Sequence, residues 1–271
     1  MRNIALAVLC CLCLSSHAAD PASEMATKNA QLAISFSKAE ASTFAILRDD
    51  QELQMQAEPL LRWNNPTGGE IYGDVYVWTL EGRPQAIASI YKWFTPYTHG
   101  TAEFQSLSEL PLQMKRGGSI VWEPGPGVRM KPLEEAPQPA GIPFQRMRQM
   151  RSMAEQHEAV MDDREDLDKK WNLRLLPKPI YRYSSTENGI VDGALFAFCK
   201  GTTNDPEIVL MMEVQRDGES LKWMYAFGRQ DSLRFVVRRN NAIVWDVPRL
   251  TPPWSNVYSP KNPYLVLRIN E

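Results

Sequence analysis

Cysteine is scarce in this chain where it would matter. Of four, Cys10, Cys11 and Cys13 fall within the first 19 residues, and Cys199 stands alone beyond them. With one thiol left, no intrachain disulfide can staple the fold. Cys199 sits in the alternating run GALFAFC, which fits a small buried residue better than a nucleophile. Histidine is also sparse: His17, His99 and His157 are far apart, which leaves a histidine metal site or a His-dependent triad little support. There is no G-x-S-x-G elbow, no H-E-x-x-H, no phosphate-cradling P-loop and no paired-cysteine metal motif. No cofactor or metal is expected.

Long apolar runs are missing too. The run from Ile4 to Leu14 covers about 11 residues, against roughly 20 for a membrane helix. With Arg2 before it and Ser16-His17-Ala18 after it, the pattern predicts an export signal over residues 1–19. The expected location is periplasmic or extracellular. Excess positive charge is absent as well: 30 Lys and Arg face 32 Asp and Glu, and losing Arg2 takes the net charge from −2 to about −3. Nucleic acid is therefore not an expected partner.

What is present is an internal repeat. FQSLSELPLQMKRGGSIVWE (104–123) aligns without a gap to FGRQDSLRFVVRRNNAIVWD (227–246). Gly117-Gly118 faces Asn240-Asn241, a swap between residues that tolerate the positive φ of a tight hairpin. Upstream, LQMQAEPLLRW (53–63) faces LRLLPKPIYRY (173–183), and Gly73/Gly193 and Pro84/Pro206 continue the series. Each copy opens on an apolar stripe at helical spacing: Leu32, Phe36, Ala39, Thr43 and Leu47 in one, and Phe144, Met147, Met150, Ala154, His157 and Met161 in the other. Alternating strands follow, including DVYVWTL (74–80) and PQAIASIYKW (84–93) about a Glu-Gly-Arg turn.

The predicted fold is α+β, a tandem duplication of one long helix packed on a curved antiparallel β-meander. Unit 1 is placed at 20–131, a proline-rich linker at 132–142, and unit 2 at 143–271 with a C-terminal strand tail. Trp122 and Trp245, equivalent in the repeat, are expected to be buried alike. His157 is expected to be a buried structural histidine. The acidic run Asp162, Asp163, Glu165, Asp166 and Asp168 lacks the spacing of a calcium loop and reads as a solvated helix end.

Function is sought where the copies differ. Copy two has a plain Arg216-Asp217-Gly218-Glu219 turn where copy one has KWFTPYTHG (92–100), an aromatic loop. Trp93, Phe94, Tyr97 and His99 are the candidate ligand-binding residues, since such rings stack on sugars or bind proteins. An alternative treats the loop as a lid on the core.

The runs LLRWNNPTGGEIYGDVYVWTLEGRP, YKWFTPYTHGTAEFQSLS, LRLLPKPIYRY and DGALFAF resemble an uncharacterised family of secreted bacterial proteins. The resemblance implies export and a shared fold, and implies no activity. Two functional expectations follow. The first is a soluble, non-enzymatic binding or scaffold protein for an extracellular or envelope ligand, polysaccharide or protein, with its contact surface at the aromatic loop or between the repeats. The second is a hydrolase of an extracellular polymer using His99 with Asp74 or Glu103 as its carboxylate partner.

Overall fold

The computed structural model describes residues 21–269; the expected export signal lies outside them. The chain is mostly antiparallel sheet, with two α-helices among the described residues. The first half runs α1 (Pro21–Ala41), β1 (Phe44–Arg48), β2 (Gln51–Glu52), β3 (Gln54–Met55), β4 (Leu61–Asn64), β5 (Glu70–Leu80), β6 (Arg83–Thr95), β7 (His99–Ser106), β8 (Gln113–Arg116) and β9 (Ser119–Trp122). After β10 (Lys131–Pro132) come α2 (Pro143–Ala154), β11 (His157–Asp162), β12 (Lys170–Leu175), β13 (Tyr181–Ser185) and β14 (Ile190–Lys200). The chain ends with β15 (Pro206–Asp217), β16 (Ser220–Arg229), β17 (Phe235–Arg239), β18 (Ala242–Val247) and β19 (Tyr264–Ile269).

The long strands are apolar on both faces, so each sheet needs two covers. On the outer face of β5–β6–β7, Tyr76, Trp78, Ala88 and Phe104 pack with Phe44, Met114 and Trp122 from the side strands, and with Phe36 and Ala41 of α1. On the outer face of β14–β15–β16, Phe196, Phe198, Leu210 and Phe227 pack with Met150 and Met153 of α2 and with Phe235. The inner faces meet each other: Val75, Val77, Ile87 and Leu107 pack with Leu195, Val209, Met211 and Ala226. The approach is close enough that a Cβ on Gly228 would lie 2.9 Å from Leu107 Cδ2. The α+β arrangement therefore holds in outline, as a stack of two sheets with a helix on each outside.

In the second half, β12 pairs with β11 through Lys170–Asn172 and with β14 through Leu173–Leu175, which curls the strands into one nine-stranded sheet. In the first half the corresponding stretch is interrupted at Leu53, between β2 and β3, giving separate sheets of four and six strands.

Each helix is held to its sheet by a buried aspartate. Asp74 accepts from Ser37 Oγ of α1 at 2.5 Å and from Arg62 Nε at 3.2 Å. Asp192 accepts from Arg146 Nε of α2 at 2.8 Å and from both Nε and Nη2 of Arg182.

Several expectations need correcting. Neither helix reaches the end of its apolar stripe. Thr43 lies beyond α1 and Leu47 in β1, while His157 and Met161 belong to β11. Spacings of three and four run into the alternation Phe44-Ile46 and His157-Ala159-Met161, and pairing with β8 and β17 decides for strand. The acidic run is accordingly the β11–β12 loop, where Asp163 accepts from the backbone N–H of Glu165 and Asp166 and from Trp171 Nε1. His157 is buried, with Nδ1 at 3.0 Å from Met153 O.

The 132–142 stretch and the C-terminal tail are also tied down. Leu133 N and Trp223 Nε1 bond the 132–142 stretch to the second half, and β10 pairs with β16. The C-terminal tail crosses back, and β19 pairs with β7 along its whole length. Each half thus lends a strand to the edge of the other's sheet.

Trp122 is fully buried and donates to Asn262 O, roofed by the returning tail. Trp245 stacks on Phe227 and Phe235 but stays partly exposed, so the two are not buried alike. Trp122→Ala should cost about 3–5 kcal/mol and Trp245→Ala roughly half that, measured by urea unfolding.

At one end of the inner interface Arg83 Nε meets Glu213 Oε1 at 2.9 Å, both buried, and Tyr183 Oη donates to the same oxygen. Glu213→Ala leaves the Arg83 charge with only the half-exposed Glu109 nearby, and should cost about 3–5 kcal/mol. The double replacement Arg83→Met, Glu213→Leu should cost less in the same assay. Equal losses would show that the pair is not desolvated as described.

Candidate functional site

The aromatic stretch is the end of a long hairpin more than a loop. β6 extends to Thr95 and β7 begins at His99, so only residues 96–98 lie outside the strands. Trp93 and His99 are cross-strand partners with rings 5.4 Å apart and nearly parallel, a pairing that carries the strands to the tip. Tyr97 packs on Trp93 at 5.8 Å and is 64% exposed. Trp93 and His99 are half-buried. Phe94 is half-buried on the other face, against Tyr72.

Strand alternation sets which residues share a surface. Tyr91, Trp93, His99, Thr101 and Glu103 stand on the inner face of the first sheet; Arg268 and Val266 of β19 join them through the pairs Arg268↔Thr101 and Val266↔Glu103. At that edge a hollow of about 400 Å³ is lined by Trp254, Tyr258, Val266, Leu267 and Arg268. Arg268 lies over the Tyr258 ring, and Trp254 is largely exposed. The patch thus joins exposed rings to one guanidinium and one imidazole. A second hollow, of about 560 Å³, lies behind the hairpin between α1 and the ends of β5 and β6, with Glu70, Tyr72 and Thr95 in its wall.

The structure does not assemble the expected acid–base set. Asp74 stands on the outer face, bonded to Ser37 and Arg62 beneath α1, where burial raises its pKa. Glu103 shares a face with His99 but lies four residues along β7, about 13 Å away at the usual strand rise. Its carboxylate is bonded by Tyr91 Oη at 2.5 Å and Tyr264 Oη at 2.9 Å. His99 makes no hydrogen bond to either carboxylate.

Glu103 has an acidic neighbourhood that short-range sequence patterns do not reveal. Asp205 in the β14–β15 turn, Glu207 on β15 and Asp231 just after β16 lie within electrostatic reach of it from the second half. Burial, with Asp231 adding to it, lifts the Glu103 pKa to about 7. Burial raises Asp205 and Glu207 as well, each reinforced by the neighbouring carboxylates. Asp231 is paired with Arg164 at 2.6 Å. The one sequence signal was Glu207 itself, an acidic residue within the buried run EIVLMMEV. Among the described residues no cluster of three or more His, Cys, Asp or Glu has metal-holding geometry.

Comparison with protein-family models, with curated proteins and with solved structures finds no match. No helix among the described residues is long and apolar enough to cross a membrane.

Partial burial, followed by the positive charge of Arg268, lowers the His99 pKa below the ordinary histidine value. His99 should therefore be neutral above that range, and Arg268→Gln should raise its midpoint part of the way back. NMR titration of the ring protons measures both. An unchanged midpoint in the variant would remove Arg268 from the patch.

Proposed function

We propose that the protein is an exported binding protein, built by tandem duplication of a helix-plus-meander unit, whose contact surface is the aromatic end of the β6–β7 hairpin. Duplication is supported by the pairings. β11 pairs with β12 and β17, β17 with β18, and β12 and β13 with β14, followed by β15 and β16. β1 pairs with β2 and β8, β8 with β9, and β3 and β4 with β5, followed by β6 and β7. Both final hairpins turn through two residues of positive φ, Gly117-Gly118 and Asn240-Asn241. Export rests on the leader pattern in the sequence.

The observation that carries the binding role is the ring set at a hairpin tip, Tyr97 exposed and Trp93 and His99 half-buried beneath it, whose counterpart between β15 and β16 is a short polar turn. Rings accompanied by Thr95, Thr98 and Arg268 suit the alternating C–H and hydroxyl faces of a sugar. The ligand class is therefore a polysaccharide of the envelope or medium.

Co-sedimentation with cellulose, chitin and peptidoglycan tests this. The parent should bind at least one, and Tyr97→Ala with Trp93→Ala should lose most of that binding while the unfolding midpoint moves little. Failure to bind any of the three defeats the saccharide assignment. A midpoint that falls by several kcal/mol equivalents defeats the open-surface role, since each large buried side chain contributes roughly 1.5–3 kcal/mol.

A hydrolase of an extracellular polymer is the second reading, favoured by one observation: Glu103, whose pKa burial lifts to about 7, has the character of a general acid. Its partner would be a carboxylate of the second half, not His99 or Asp74. Release of reducing ends that Glu103→Gln abolishes would establish it.

A further inference from the structure

The hollow of about 400 Å³ at the β19 edge has fixed walls. On one side, Trp254–Asn256 form a single 3-10 turn, and Val257 behind it is fully buried. Val257 O accepts from Val266 N of β19 at 2.7 Å, so turn and strand are tied together. Asn256 Nδ2 donates to Leu250 O, and Asn256 O accepts from Asn262 Nδ2. Trp254 nevertheless stays 54% exposed. A ring held open on a pre-organised wall loses little conformational freedom when a ligand stacks on it.

The opposite wall carries one charge. Arg268 is exposed and makes no hydrogen bond or ion pair among the described residues. Its guanidinium lies 5.5 Å from the centre of the Tyr258 ring, a contact that steadies it and gives its five N–H groups no acceptor. Its neighbours add no second cation. They are Leu267 and Ile269 on β19 and Gly100, Thr101 and Ala102 on β7. His99, diagonal to it, titrates below the ordinary histidine value and is mostly neutral at pH 7. A lone guanidinium matches one carboxylate, which its planar fork grips with two N–H bonds, whereas a phosphate would keep part of its charge unpaired.

The hollow continues the aromatic tip. Trp93 and His99 pair directly across β6 and β7, and Arg268 stands on the next strand, opposite Thr101. Rings and guanidinium thus span three adjacent strands, about 10 Å across. We propose that the hollow is a second subsite of the tip and that the ligand is an acidic polysaccharide, with carboxylates on its sugar units. One unit lies on the tip rings, and another sets its C–H face on Trp254 and its carboxylate on Arg268. This rests on the saccharide reading of the tip and adds the charge class of the sugar. A chain of net charge −2 has no general attraction for a polyanion, so a preference for the acid must come from the local site.

Calorimetric titration with tetramers of galacturonate and of mannuronate, each beside its carboxyl methyl ester, separates charge from ring contact. The parent should bind at least one acidic tetramer about tenfold or more tighter than its ester. Arg268→Gln should bind the acid no better than the ester and hold the ester as the parent does. Trp254→Ala should weaken both forms alike. Both side chains are exposed, so neither variant should shift the unfolding midpoint. Equal binding of acid and ester by the parent overturns the acidic assignment and leaves the saccharide reading of the tip standing. A preference for the acid that survives Arg268→Gln, or binding unchanged in Trp254→Ala, overturns the hollow as its seat. Binding of no tetramer overturns the inference, while co-sedimentation with the neutral polymers judges the tip by itself.

Discussion

Two sheets that are apolar on both faces set the terms for everything else in this protein. β5 and β14 are buried almost throughout, and so is most of β6 and β15. A helix and a few side strands cover one face of each sheet, and only the opposite sheet can cover the other. The halves are therefore obliged to meet. Charged residues on the inner faces must then find partners across the contact or remain neutral. Arg83 and Glu213 take the first course, and Glu207 takes the second.

Much of this was legible in the sequence, and the parts that were not have physical causes. Strand alternation located the long hairpins, and the Gly-Gly and Asn-Asn pairs located their final turns, because both signals are local. Helix ends were misjudged because a 3–4 spacing at Met150, Ala154 and His157 passes without a break into a period-two pattern. Only pairing of His157–Met161 with β17 settles which period applies. Trp122 and Trp245 looked interchangeable, yet their burial is set by residues 260–262 arriving from the far end of the chain.

The candidate site divides in the same way. The aromatic tip was visible because its residues are consecutive. The acidic neighbourhood of Glu103 was not, because Asp205, Glu207 and Asp231 reach it electrostatically from the second half, more than a hundred residues away. Asp74 was singled out as a carboxylate partner for His99. The pleat places it on the opposite face, where it anchors α1.

The exchange of edge strands bears on how the chain can be made. β7 is complete by residue 106, but its outer edge has no strand beside it until residues 264–269 arrive. The first half therefore cannot finish folding while the second is still being synthesised. Its open sheet edge and the uncovered Trp122 persist until residues 260–269 emerge, so the first half stays exposed to wrong strand partners for as long as the second takes to be made.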